Sequence, residues 1–167
     1  MKHILIIIAT LMTAHLAHAL EVGEQAPCVE LNQIAADGSE AEHCIRDRKV
    51  KGQPVVQEYF SVTCSDCFDS FALMNPLSKE LDAKATFRMV TVDRDEKEVR
   101  AFLSQNKSLI SHEVALDSER TATKVYGVTQ TPTIFVLNGK NVIVYKHVGI
   151  VTEDSAAKLK EAILSNQ

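Results

Sequence analysis

The stretch Val55-Val56-Gln57-Glu58-Tyr59-Phe60-Ser61-Val62-Thr63-Cys64-Ser65-Asp66-Cys67 decides how this chain is read. Its first part is rich in β-branched and aromatic residues and has the length of a largely buried strand. Two cysteines separated by two residues follow at once. At the start of a helix such a pair can close a small ring, and the helix N-terminus stabilises negative charge on the first sulfur. The pair reads as a dithiol that cycles to a disulfide, with Cys64 as nucleophile. Glu58 stands out in the strand, because a charge inside an apolar run is costly unless it is paired or functional. Its alternatives are a partly exposed strand position or an ion pair with a lysine.

Downstream, residues 64–83 carry Phe68, Phe71, Leu73, Met74, Leu77 and Leu81 broadly at helical spacing, with Pro76 among them. A long helix kinked at the proline is predicted. Residues 86–92 form a further strand. Asp95 opens a helix with Glu98 three residues on, in the pattern of a capping box. Residues 114–116 are a short strand and 118–126 a short helix ending at Gly127. Residues 133–137 and 141–148 flank Asn138-Gly139-Lys140, a strong hairpin signal, and residues 153–164 form a closing helix. Upstream, residues 28–34 and 40–45 flank Ala36-Asp37-Gly38-Ser39, which reads as a hairpin tip. After that hairpin the order is βα, βα, βα, ββα. An α/β fold with a mixed central sheet flanked by helices is expected.

The chain opens with Lys2, an apolar stretch from Ile4 to about Ala14, and Ala17-His18-Ala19, the three parts of a secretory signal. A signal peptide over 1–19, cleaved after Ala19, and one domain over 20–167 are therefore expected. The apolar stretch is shorter than the ~20 residues of a membrane span, and retention by an uncleaved anchor is the alternative. The 167 residues carry 18 basic and 22 acidic side chains, a net charge of −4, and only Lys2 leaves with the signal. A mildly acidic, unclustered surface gives no reason to propose nucleic acid. A monomer in the periplasm, or otherwise exported, is expected.

Export decides how the four cysteines are read, since in an oxidising compartment they mean disulfides before zinc. Cys28 and Cys44 are equidistant from Ala36. In a hairpin centred there they would sit nearly opposite each other, close enough to bridge if both side chains share a face. Such a bridge would close a loop of about 15 residues and contribute ~3 kcal/mol in the chain-entropy model. A structural staple is the favoured reading over a second redox pair.

With strand, dithiol and helix in place, the chain resembles the thioredoxin superfamily, and its exported TlpA/ResA-like branch in particular. The dithiol matches the family's redox centre. The segment Tyr126-Gly127-Val128-Thr129-Gln130-Thr131-Pro132-Thr133-Ile134-Phe135 resembles the one whose proline is cis and lies against the active-site sulfurs, which implies that role for Pro132 and places Thr131 facing the sulfurs. A cis bond there leaves the preceding backbone free to pair with a peptide substrate. The closing hairpin and Gly149 match the family's terminal ββα, with Gly149 read as a point of close backbone approach. The N-terminal β-hairpin and an inserted αβ unit over 93–116 are similar to additions of the TlpA/ResA-like branch.

The resemblance implies an exported thiol-disulfide oxidoreductase, a reductase of protein disulfides in which Cys64 attacks and Cys67 resolves. It implies protein clients and a membrane or exported electron donor, no cofactor and no metal, with cytochrome c maturation among the candidate settings. Glu58, six residues before Cys64, matches the family's buried acid and would shuttle the proton of Cys67. Helix-end electrostatics favour a Cys64 thiolate and the charge of Asp66 opposes it, which points to a reducing couple. The chain departs from the family where Thr63 replaces a tryptophan, making the client surface beside the sulfur more polar, and where Pro76 falls about one helical turn later than usual.

Two rival readings compete. Ser61, three positions before Cys64, fits a peroxiredoxin-like peroxidase, yet Gln57 stands where that family has proline. A non-enzymatic copper or haem-handling module would use the Cys64/Cys67 pair as ligands with His112 or His147, since thiolates suit Cu(I).

Overall fold

A computed structural model describes residues 18–35, 37–110 and 112–167. The apolar run of the expected signal peptide lies outside the described residues. Among the described residues no helix is long and apolar enough to cross a membrane.

Seven strands form one sheet: β1 (Glu30–Ile34), β2 (Glu40–Cys44), β3 (Val55–Phe60), β4 (Thr86–Thr91), β5 (Glu113–Leu116), β6 (Thr133–Leu137) and β7 (Ile143–Val148), in the order β2-β1-β5-β4-β3-β6-β7. Helix α1 (Ser65–Leu81) follows β3, α2 (Glu96–Gln105) follows β4, α3 (Thr121–Val125) follows β5 and α4 (Glu153–Leu164) closes the chain. β3 lies between β4, to which it is parallel, and β6, to which it is antiparallel. This is the thioredoxin-like α/β architecture, with the N-terminal hairpin and the inserted unit both present. β5 carries the hairpin, pairing with β4 on one side and β1 on the other.

All six residues of β3 are buried because helices cover both faces of the sheet. Val55 and Tyr59 join Tyr126, Phe135 and Ile143 on one face, while Val56 meets Leu81, Leu159 and Ile163 on the other. Phe60, on that second face, packs with Cys67, Phe71, Met89 and Val99. Period-two alternation therefore sends Glu58 to the face covered by α1. The first face is finished by the N-terminal segment. Gly23 donates to the Ile143 carbonyl, Ile143 donates back to Glu24, and the Tyr126 hydroxyl donates to the Pro27 carbonyl at 2.8 Å.

Several local expectations are corrected. The hairpin register pairs Glu30 with Cys44, so Cys28 lies just outside the ladder and reaches Cys44 diagonally, with Cα atoms 5.5 Å apart and sulfurs at 2.13 Å. The long helix expected after the dithiol is α1, with Pro76 inside it. The helix predicted over 118–126 shrinks to α3, because the buried Asp117 carboxylate accepts the amides of Ala122 and Thr123 and the Thr123 hydroxyl, leaving 118–120 as a turn. Asp95 caps α2 through the amides of Lys97 and Glu98. The reciprocal capping box is instead at α4, between Thr152 and Ser155.

Candidate active site

β3 ends at Phe60, and residues 61–63 carry the chain to Cys64, the N-cap of α1. The Cys64 sulfur accepts the Cys67 amide at 3.1 Å, so it occupies the place of a capping oxygen at the positive end of a 17-residue helix. The two sulfurs are bonded at 2.24 Å. Their surroundings differ: Cys64 is half-buried, whereas Cys67 is 0 % exposed within the apolar cluster of Phe60 and Phe71. Only the first sulfur is open to a client.

The Thr131–Pro132 bond is cis, and the Thr131 carbonyl lies 3.6 Å from the Cys64 sulfur. Two segments distant in sequence are thus brought together as the resemblance implied. The Pro132 carbonyl accepts the Gly149 amide at 2.8 Å, joining the loop before α4 to the same region. A Cβ on Gly149 would meet the Gln130 side chain at an ordinary 3.6 Å, so space is not what requires glycine there. Its φ of +95° is. Ser70, three residues after Cys67, donates to the Asp66 carbonyl and accepts the Val151 amide, tying the first turn of α1 to that loop. Exposed Thr63 and Ile150, with half-buried Thr131, border Cys64 and its neighbouring loops.

Sequence reasoning missed Asp93. Its Oδ1 accepts the Ser61 hydroxyl at 2.6 Å, and its Oδ2 accepts the Val62 amide at 2.9 Å and the Thr91 hydroxyl at 3.1 Å. The loop that delivers Cys64 is therefore held from the end of β4. The available signal was Asp93 directly after a strand parallel to β3, at the carboxyl edge where the dithiol sits.

Glu58 is 5 % exposed beneath α1, and burial pushes its carboxyl up to about 8. With that affinity the carboxyl is mostly protonated at neutral pH and half-ionised at about pH 8. Its Oε1 is buried without a hydrogen-bond partner among the described residues. Among the described residues no lysine pairs with it, so the ion-pair alternative finds no support there.

His112 lies 2.6 Å from the Ser78 hydroxyl and stacks on Phe87, and His147 contacts the Ile150 carbonyl at 3.0 Å. Among the described residues, no histidine or carboxylate joins Cys64 and Cys67 in a group able to share one ion. The group that does form is Cys28, Glu30 and Cys44, whose sulfurs are bonded to each other.

The profile of the Redoxin family matches residues 21–163. The chain is 26% identical over 137 residues to the thioredoxin-like protein YneN of Bacillus subtilis, spanning 80% of this chain and 75% of that one. Its fold is similar to that of a putative thiol:disulfide interchange protein DsbE from Chlorobium tepidum, with TM-score 0.73 and 24% identity over 89% of this chain and 99% of the other. It is also similar to AhpC of Mycobacterium tuberculosis, with TM-score 0.69 and 16% identity over 88% and 99%. At such identities the structural likeness is one of fold, and the chemistry rests on the site.

Proposed function

This chain belongs to the Redoxin family and is a thiol-disulfide oxidoreductase of the thioredoxin superfamily, and from that premise we propose that it is an exported reductase of protein disulfides, with Cys64 attacking and Cys67 resolving. The observation that carries the roles is the asymmetry of the pair. A half-buried sulfur at a helix N-terminus is accessible and favoured as thiolate, and a fully buried one beside it can act only after a client sulfur has been brought in.

In the reduced enzyme the Cys64 thiolate attacks a client disulfide. One Cys64–client S–S bond forms and the client's other sulfur leaves as thiolate. Cys67 then loses its proton and attacks the Cys64 sulfur, releasing the second client thiolate and closing the Cys64–Cys67 disulfide. The client gains two electrons, the dithiol loses two, and an electron donor restores it. Glu58, buried on the α1 face and held near the neutral range, receives the Cys67 proton. Thr63, Thr131 and Ile150 border the client's path to the sulfur. Export is supported by the signal-like first 19 residues and by a second disulfide at Cys28–Cys44, which suits an oxidising compartment. Apocytochrome c cysteines are a candidate client within that class.

The peroxidase reading is less well supported, because the Ser61 hydroxyl donates to Asp93 rather than addressing the sulfur.

Expressing Cys67→Ala in the native host tests the proposal. Without the resolving thiol, exported clients should accumulate as mixed disulfides on Cys64, identifiable by mass spectrometry. Rapid peroxide turnover with no protein adducts would overturn it in favour of the peroxidase.

A further inference from the structure

Glu58 faces a cavity of about 10 Å³ bordered by Met74, Asn75, Ser78, Met89 and His112. Its lining is mostly apolar, with Glu58, Asn75, Ser78 and His112 among the apolar side chains, and it has room for one water at most. The Ser78 hydroxyl donates to the Asn75 carbonyl at 2.9 Å and lies 2.6 Å from His112 Nε2, and the His112 ring is stacked on Phe87. Ser78 and His112 also border a surface groove with Lys49, Lys79, Asp82 and Glu113. These two side chains, with the ring of Phe87, are thus the wall between the buried carboxyl and solvent. Ser78 lies eleven residues beyond Cys67 on α1, roughly 16 Å along the helix axis.

We propose that Ser78 and His112 form a proton exit for Glu58, leading from its cavity to the groove at the end of α1 remote from the dithiol. The proposal rests on the reading of Glu58 as acceptor of the Cys67 proton. A client joined to Cys64 covers the dithiol end of the site, so a proton taken up beneath it needs another way out. The Glu58 carboxyl gives its proton to the cavity water, the Ser78 hydroxyl accepts one and, turning away from the Asn75 carbonyl, passes its own to an unprotonated His112 Nε2, and the imidazole releases the proton on its other nitrogen to solvent. One proton leaves and no electrons move. Both residues are positioning residues for proton movement and touch neither sulfur nor client.

The surrounding charges suit a relay. Burial lowers the basicity of His112, as do Lys49 before β3 and Lys79 on α1, while Asp82 just past α1 and Glu113 on β5 oppose them. The imidazole therefore gives up a proton readily. Facing Glu58 from α1 are Met74, Asn75 and Ser78, and from β4 Met89 and Arg88. The Arg88 guanidinium is engaged with the carbonyls of Cys44 and Asp47 and with Glu113. β6 places Ile134 opposite Glu58.

The test is carboxyl-carbon NMR of the oxidised full-length protein labelled at glutamate, with Glu58→Gln identifying the Glu58 signal. In His112→Phe, which keeps a ring against Phe87, and separately in Ser78→Ala, the signal should titrate at nearly the same midpoint, with proton exchange slowed at least roughly tenfold. Unchanged exchange in both variants, or a moved midpoint at unchanged exchange, overturns the exit. Rapid-quench measurement of mixed-disulfide resolution separates the two claims. Slow resolution in Glu58→Gln with normal exchange in both relay variants leaves the acceptor standing and removes the exit. Normal resolution in Glu58→Gln removes the acceptor, whatever the exchange rates show.

Discussion

Asp93 holds Ser61 at 2.6 Å across the carboxyl ends of two parallel strands, thirty-two residues apart in sequence and three residues before the nucleophile. The same carboxylate takes the Val62 amide, so two donors of the loop entering Cys64 converge on one side chain. A charged acceptor with two or three donors is strong and directional. The loop geometry, and with it the position of the Cys64 sulfur at the start of α1, depends on it.

Asp93→Ala should leave the Val62 amide and the Ser61 hydroxyl without their acceptor, destabilising the protein by about 1–3 kcal/mol. Client reduction should fall several-fold more than Asp93→Asn makes it fall, since the amide retains one acceptor oxygen. Denaturant titration and kcat/KM on a model disulfide check the pair. Equal activity in both variants and wild type would show that the loop holds itself.

The buried acid makes a signed statement about pH. Glu58 titrates at about 8 in the folded chain against its ordinary 4.5, so between those values the folded state binds more protons than the unfolded one. Stability of the oxidised protein should therefore fall as pH rises from about 5 to 8 and level off above, a loss of order a few kcal/mol. Glu58→Gln should remove that slope. His112 acts in the opposite sense: its lowered basicity costs stability as pH falls below its ordinary 6.5. Urea midpoints at successive pH values, wild type beside Glu58→Gln, decide it; parallel curves would sink the assignment.

Unequal access to the sulfurs predicts unequal alkylation. In the reduced protein iodoacetamide should label Cys64 before Cys67, by an order of magnitude or more in rate, because only Cys64 is reachable and capped by the helix amides. Peptide mapping after timed quenching gives the order, and labelling of both at one rate would contradict it.

Gly149→Ala places a side chain at φ +95°, a conformation L residues rarely adopt, while meeting no steric obstacle. The cost should be about 1–2 kcal/mol of backbone strain. Because the Gly149 amide holds the Pro132 carbonyl, client reduction should weaken as well. Thermal unfolding and steady-state reduction rates test both.

Cys28→Ser with Cys44→Ser should cost ~3 kcal/mol in the chain-entropy model and leave dithiol chemistry intact, as befits a staple outside the active site. A double variant that folds normally but no longer reduces clients would mark the bridge as a second redox pair.

Much of this was legible before the fold was known. The cysteine spacing, the buried strand before it and the helical spacing after it are local signals, and β6 and α4 have the bounds that residues 133–137 and 153–164 predicted. The misreadings have one cause. Asp117 takes the donors of α3 from outside the helix, and the hairpin register is set by strand pairing rather than by the turn residue alone. Each is decided by a partner that periodicity does not see.

The sequence by itself determined the redox pair, two thiols at a helix start after a buried strand, because residue type and spacing suffice for these; the resemblance to a family implied the roles of the acid six residues earlier and of the proline segment far downstream. Only the tertiary structure decided which sulfur is open, that Asp93 and Ser70 hold the loops around it, and that Glu58 looks toward Ser78 and His112. Those relations are made across strands and between helix and loop, where burial and hydrogen-bond geometry exist only once the chain has closed on itself.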